Sequence, residues 1–382
     1  MLSGFYKQPE MTLGEKLAEI NWGLVGILTV IACVGFFMLY SAGNGSFQPW
    51  AGRQMIRFAV GLCLLIVLAT VDLRFWLRYA YVIYFGALAL LVAVEIMGDI
   101  GMGAQRWINL GVINLQPSEV MKIALIIVLA RYFHTLPEEA EGRLRYLLWP
   151  AGLALAPAAL VLRQPDLGTA LMLLMVAGVV FFMAGVKLWK FGVVLGAAVG
   201  VIPVAWQFLK GYQKNRILTF LNPESDPLGA GYHILQSKIA LGSGGIFGKG
   251  FMQGSQAHLN FLPEKQTDFI FTMLAEEFGL TGGLALLGLY GLVLVYGFSI
   301  AIRAQSQFGR LMAMGVTATF FLYVFINIAM VMGLVPVVGV PLPLISYGGT
   351  SMLTLLIGFG ILIGVNVHRE MVIGRSPRSD AG

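Results

Sequence analysis

Of 382 residues, 58% are hydrophobic and 12% are charged, where a soluble domain carries roughly 25% charged residues; a water-soluble globular protein is excluded. The net charge of +6 is spread over short segments between apolar runs and gives no reason to expect a nucleic-acid partner. Cys33 and Cys63 both lie inside apolar runs, which excludes a disulfide framework and a cysteine-spaced metal site.

Stretches able to cross about 30 Å of hydrocarbon occur ten times. A short surface helix is expected over Met11 to Asn21, where apolar and charged residues mix. Trp22–Tyr40 follows; it is too long for a signal-peptide core and is read as an anchoring helix. Met55–Thr70 and Tyr79–Met97 come next. The fourth span, Pro117–Phe133, begins Pro117-Ser118-Glu119-Val120-Met121-Lys122. Pro117 suits the first position of a helix, Glu119 the positive end of its dipole, and Lys122 shares a face with Glu119 three residues back. Two readings stay open there: a structural ion pair, or a Lys122 that offers charge to an anionic ligand.

Leu147–Leu162 and Leu167–Gly185 are joined by Arg163-Gln164-Pro165-Asp166, where Asp166 can start a helix and an Arg163–Asp166 pair can clasp the corner. After Phe191–Leu209 the chain turns polar over 210–267. The glycine-rich run Gly242 to Gly250 resembles a phosphate loop but lacks its first Gly and its Ser or Thr, so no nucleotide is expected. His233 and His258 have no partner at metal-ligand spacing. Asp268 stands where the polar stretch re-enters an apolar helix, Phe269–Ile302. That span is overlong and contains Gly279, Gly282 and Gly283, so a bend is expected. At about 100° per residue Glu276 lies some 80° around from Asp268 and Glu277 opposite, so Glu276 is the one able to share its cavity. Leu311–Met332 precedes a stretch full of helix breakers, and Ser351–Val367 is the last span. Irregular backbone at membrane depth survives only inside protein or beside a wet cavity. The breaker-rich segment therefore folds back into the body, with the Ser346–Ser351 hydroxyls and amides, including those of Gly348 and Gly349, available to a ligand.

The sum is an all-α polytopic membrane protein with about ten transmembrane helices and one large extracytoplasmic loop (210–267), in one integral domain over 1–382. Lys and Arg concentrate in alternate loops. The short loops on the other side hold only Arg53, Arg57, Arg106 and Arg163, so both termini read as cytoplasmic.

These residues resemble the SEDS (shape, elongation, division and sporulation) family of bacterial membrane proteins over essentially the whole chain. The family signature matches Asn327 through Ser351 without a gap, including Gly333, Pro336, Gly339 and Ser346-Tyr347-Gly348-Gly349. The loop segments Asn222 to His233 and Phe261 to Asp268 look like the elongation-type branch. The resemblance implies an inner-membrane peptidoglycan glycosyltransferase that polymerises lipid II into glycan strands. It also implies an essential acid at Asp268, an important pair at Glu119 and Lys122, and partnership with a class B penicillin-binding protein.

The chemistry can be set against the residues. Attack of an acceptor hydroxyl on an α-linked donor to give a β-1,4 product inverts the anomeric carbon. Pyrophosphate leaves without a protonating acid, so one base is needed together with neutralising charge. Asp268 is the candidate base. Lys122, Arg53, Arg57, Arg106, Lys214 and Arg216 are candidates for holding pyrophosphate, and Glu276, Arg163 and Asp166 for supporting them. Alternatively Asp268 ligates a divalent cation, Mg²⁺ or Mn²⁺, that neutralises the leaving group. Two other classes compete. A flippase for the same lipid shares the spans, intramembrane charges and broken helix, but usually has duplicated halves and midplane polar residues. A scaffold would explain the loop but not Asp268.

Overall fold

The computed structural model describes residues 11–374 except 98, 102–103, 110–113, 138–142, 209–210, 212–213, 215–217, 219, 221–229 and 259–263. In chain order these form α1 (Leu13–Ala18), α2 (Trp22–Ala42), α3 (Ala51–Ala69), α4 (Leu73–Met97), a small antiparallel sheet of β1 (Asp99–Gly101), β2 (Ala104–Asn109) and β3 (Asn114–Leu115), then α5 (Pro117–Thr135), α6 (Leu144–Arg163), α7 (Leu167–Met183), α8 (Leu188–Phe208), α9 (Ala230–Ser243), α10 (Ser255–His258), α11 (Ile270–Arg303), α12 (Gln307–Val331) and α13 (Gly349–Val367).

A helix stands at each of the ten expected places. Seven of them, α2, α3, α4, α6, α11, α12 and α13, are long and apolar enough to cross a bilayer, and α7 and α8 include shorter apolar helices. The remaining one, α5, carries Glu119, Lys122 and Arg131. The sheet between α4 and α5 was not foreseen; its six-residue strand holds Arg106. The expected surface helix exists as α1, closed by a capping box in which Thr12 and Glu15 satisfy each other's backbone amides.

The most enclosed helices are α5, α12 and α13, buried on nearly every face, while α3 and α4 show much of their apolar surface to lipid. A helix apolar all round can be central only when other helices cover it. Here α5 packs on α4, α7 and α12, and α13 packs on α3 and α12.

The bend expected in the eighth span falls at Gly279, whose φ of 66° and ψ of −161° split α11 into a short and a long helix. The break is stitched by the glycine-rich run. Lys249 and Gly250 donate their amides to the carbonyls of Glu276 and Glu277 at 3.0 Å each, while Leu280 and Thr281 donate to Gly245 and Ile246 at 2.9 and 3.0 Å. The backbones meet so closely that a Cβ on Gly279 would stand 2.3 Å from the Gly248 nitrogen. The run that resembles a phosphate loop is thus a backbone splint. Gly279→Ala combines a left-handed φ with this clash and is expected to cost at least about 2 kcal/mol. A thermal-unfolding midpoint in detergent unchanged from wild type would remove the splint from the account.

Candidate functional site

Asp268 lies half-buried in the turn before α11, and its neighbours are laced to the irregular segment 332–348. Asn327 on α12, fully buried, donates one amide hydrogen to the Asp268 carbonyl (2.9 Å) and the other to the Val340 carbonyl (2.7 Å). Ser346 Oγ donates to Thr267 O at 2.6 Å and accepts from Leu342 N at 2.7 Å. Tyr347 N donates to Gln266 O at 2.8 Å. Gln54 reaches across from α3 to the Ser346 carbonyl at 2.9 Å. The carboxylate is close to Gly339, where a Cβ would come 3.5 Å from Asp268 Oδ2; that glycine has a φ of 73°. A larger residue there would be both strained and in contact with the acid.

One helical turn back along α12, about 6 Å from Asn327, Tyr323 closes a buried triad. Lys122 Nζ donates to Glu119 Oε1 at 2.6 Å and to the Tyr323 hydroxyl. That hydroxyl in turn donates to Glu119 Oε2. Lys122 is 1% exposed and Glu119 4%. A charge at that depth persists only when its partners offset the lost hydration. The ammonium also sits 4.4 Å from the Tyr323 ring centre. The structure thus has the ion pair in place, with the ammonium turned into protein.

Of the other cations, Arg57 packs over the Tyr347 ring at 5.0 Å. Its guanidinium lies so close to Gly349 that a Cβ there would stand 3.0 Å from it. Arg53, four residues earlier on α3, is exposed, and Lys214 is half-buried; Arg216 is outside the described residues. Lys265, three residues before Asp268 and 6% exposed, was missed in the sequence; burial pushes its ammonium below the usual lysine range. Tyr323, Asn327 and Gln54 were missed as site residues too. The available signal was a Tyr–Asn pair at i and i+4 inside an otherwise apolar helix.

Three expectations are corrected. Asp166 does start α7, accepting from Thr169 N at 3.1 Å, but its cationic partner is Arg106 (3.7 Å), whose guanidinium also donates to the carbonyls of Pro165 (2.7 Å) and Gln164 (3.3 Å). Arg163 points away to Glu95, 3.7 Å distant, because it lies at the end of α6 rather than across the corner. Glu276 does not face Asp268. It is fully buried against the splint, with Oε1 accepting from Lys249 Nζ (2.7 Å), Ser255 Oγ (3.2 Å) and Gln256 N (3.0 Å), because the loop fills the side that the helical wheel left open. The serine and threonine hydroxyls of the last segment already donate to backbone carbonyls. Ser346 is committed as above, Thr350 donates to Asn114 O at 2.6 Å and Ser351 to Gly348 O at 3.3 Å.

A bundle with a broken segment, buried from Leu342 to Ser346, and a half-buried acid beside it defines a polytopic membrane protein with a polar site at one end. The sequence pattern of the FtsW/RodA/SpoVE family, described as "Cell cycle protein", matches residues 16–371. The chain is 46% identical to the peptidoglycan glycosyltransferase MrdB of Escherichia coli K12, covering 91% of this chain and 93% of MrdB. It is 31% identical to the peptidoglycan glycosyltransferase RodA of Treponema pallidum, covering 92% and 99%. The rod shape determining protein RodA of Thermus thermophilus superposes with a TM-score of 0.70 at 30% identity, over 92% of this chain and 98% of that one. A chain of a peptidoglycan synthase complex, solved in work on the coordination of polymerization and crosslinking, superposes at 0.80 with 34% identity over the same shares. The chain belongs to the FtsW/RodA/SpoVE family.

Proposed function

We propose that this chain is a peptidoglycan glycosyltransferase of the bacterial inner membrane, polymerising lipid II into β-1,4 glycan strands for cell elongation and rod shape. Asp268 takes the proton of the acceptor hydroxyl as it attacks the anomeric carbon and lipid pyrophosphate departs. The observation that carries the reading is the placement of this acid, half-buried at a helix end, with its carbonyl held by Asn327 of α12 and that of the preceding Thr267 held by Ser346 of the broken segment. Such fixing holds a base within the narrow geometry that proton transfer requires. Arg57, beside Gly349 and Tyr347, with Arg53 and Lys265, supplies positive charge at this end of the bundle for the diphosphate. The termini are cytoplasmic and Asp268 faces the outer leaflet, following the Lys and Arg bias of the loops. The partner is a class B penicillin-binding protein, which cross-links the strands.

A divalent cation fits this site only in a limited way. Among the described residues no group of three or more His, Cys, Asp or Glu is placed to hold one. Mg²⁺ or Mn²⁺ can, however, be held by one carboxylate together with phosphate oxygens and waters. Asp268 would hold such an ion jointly with the donor diphosphate, and the ion would supply neutralising charge to the leaving group.

The test is polymer formation in detergent. Purified chain with its transpeptidase partner should convert lipid II into long strands. Detergent removes the two compartments a flippase needs, so a preparation that binds lipid II and its partner but makes no polymer returns the chain to the flippase or scaffold class.

A further inference from the structure

The other end of the bundle, where α2 and α4 begin and α3 and α13 finish, carries a second polar site. From Gly349 to the end of α13 is 19 residues, about 28 Å of helix, so the two sites sit about one hydrocarbon thickness apart. A cavity of about 620 Å³ opens there, lined by Lys16, Arg74 and Arg369 on the positive side and Glu19, Asp72 and Glu370 on the negative. Three charges of each sign leave it electrically neutral.

His368 lines the same cavity and is 3% exposed. Its Nδ1 lies 2.9 Å from the Gly364 carbonyl, which can only accept, so the ring proton is on Nδ1. Nε2 is then a bare acceptor, buried and without a hydrogen-bond partner. Burial also pushes the imidazole below the usual histidine range, against the pull of the Gly364 carbonyl and of Asp72. Two donors nearby have capacity to spare. Lys16 gives one hydrogen to Thr70 O at 2.9 Å and has two more. The exposed Arg74 guanidinium makes no hydrogen bond or ion pair among the described residues.

We propose that this cavity binds a phospholipid headgroup in which a primary ammonium is joined to a phosphate, as in phosphatidylethanolamine. The phosphate meets Arg74 and Lys16. The ammonium lies among the acids and donates an N–H to His368 Nε2. Glu19 is paired with Arg369 at 2.7 Å, so a headgroup with only negative charge would leave Asp72 facing it, and a quaternary ammonium has no N–H to give. Val367 and Met371 supply an apolar margin where the glycerol and chains begin.

Native mass spectrometry of the purified full chain in detergent, titrated with phosphatidylethanolamine, phosphatidylcholine or phosphatidylglycerol of matched chains, tests this. One ethanolamine lipid should be retained at a lipid concentration about tenfold or more below that needed for the choline lipid, the usual size of a charge-assisted hydrogen bond. His368→Leu should abolish that preference. Arg74→Gln, at an exposed position that leaves the fold alone, should weaken ethanolamine-lipid retention even if the His368 variant fails to fold. Equal retention of the choline or glycerol lipid overturns the proposal, as does wild-type retention by Arg74→Gln. Displacement of the lipid by soluble glycerophosphoethanolamine at similar concentration would make the ligand a free zwitterion and overturn the lipid assignment.

Discussion

Asp268→Asn is expected to lower the rate of glycan polymerisation by about 10²–10⁴, the usual contribution of a positioned base. The amide keeps the size of the carboxylate and loses its basicity. The local scaffold should survive, because Asn327 holds the Asp268 carbonyl rather than its side chain, and Ser346 holds the carbonyl of Thr267. A polymerisation assay on the partner-loaded variant, with its melting midpoint recorded alongside, separates lost chemistry from lost fold. Strands formed at the wild-type rate would end the assignment of Asp268 as base or as ion ligand alike.

Lys122→Met carries the largest expected effect on stability. The ammonium neutralises Glu119 and meets the Tyr323 hydroxyl in a pocket closed to water. Its removal leaves a buried carboxylate uncompensated, which typically costs about 3–5 kcal/mol. Pairing the change with Glu119→Gln removes the stranded charge, so the double variant should recover much of the loss. Unfolding midpoints of the two single variants and the double variant in one detergent check this. A Lys122→Met protein as stable as wild type, with weaker lipid II binding, would instead favour a Lys122 that turns outward to the substrate.

Both predictions rest on contacts that were only partly legible in the chain. Asp268 at the re-entry point, Glu119 and Lys122 on one face, and Asp166 as a helix start follow from local spacing, and the structure has each in that local setting. The long-range partners do not follow. Arg106 was grouped with pyrophosphate-holding cations, yet it clasps the 164–166 corner. Glu276 was turned toward Asp268 by a helical wheel that took no account of the loop docked on it.

The amino-acid order by itself determined the class of solvent, the ten helical places, the bend at a glycine-rich point and the backbone break before the last span. Each follows from run length, composition and the conformational limits of Gly and Pro, all local quantities. Only the tertiary structure decided which charges meet. Helices such as α5 and α13 are buried on nearly every face, so the pattern along the chain does not set their rotation. Their orientation, and with it the joining of Lys122 to Tyr323, comes from how the neighbouring helices pack, and the joining of Asp268 to Asn327 comes from how the turn before α11 meets α12.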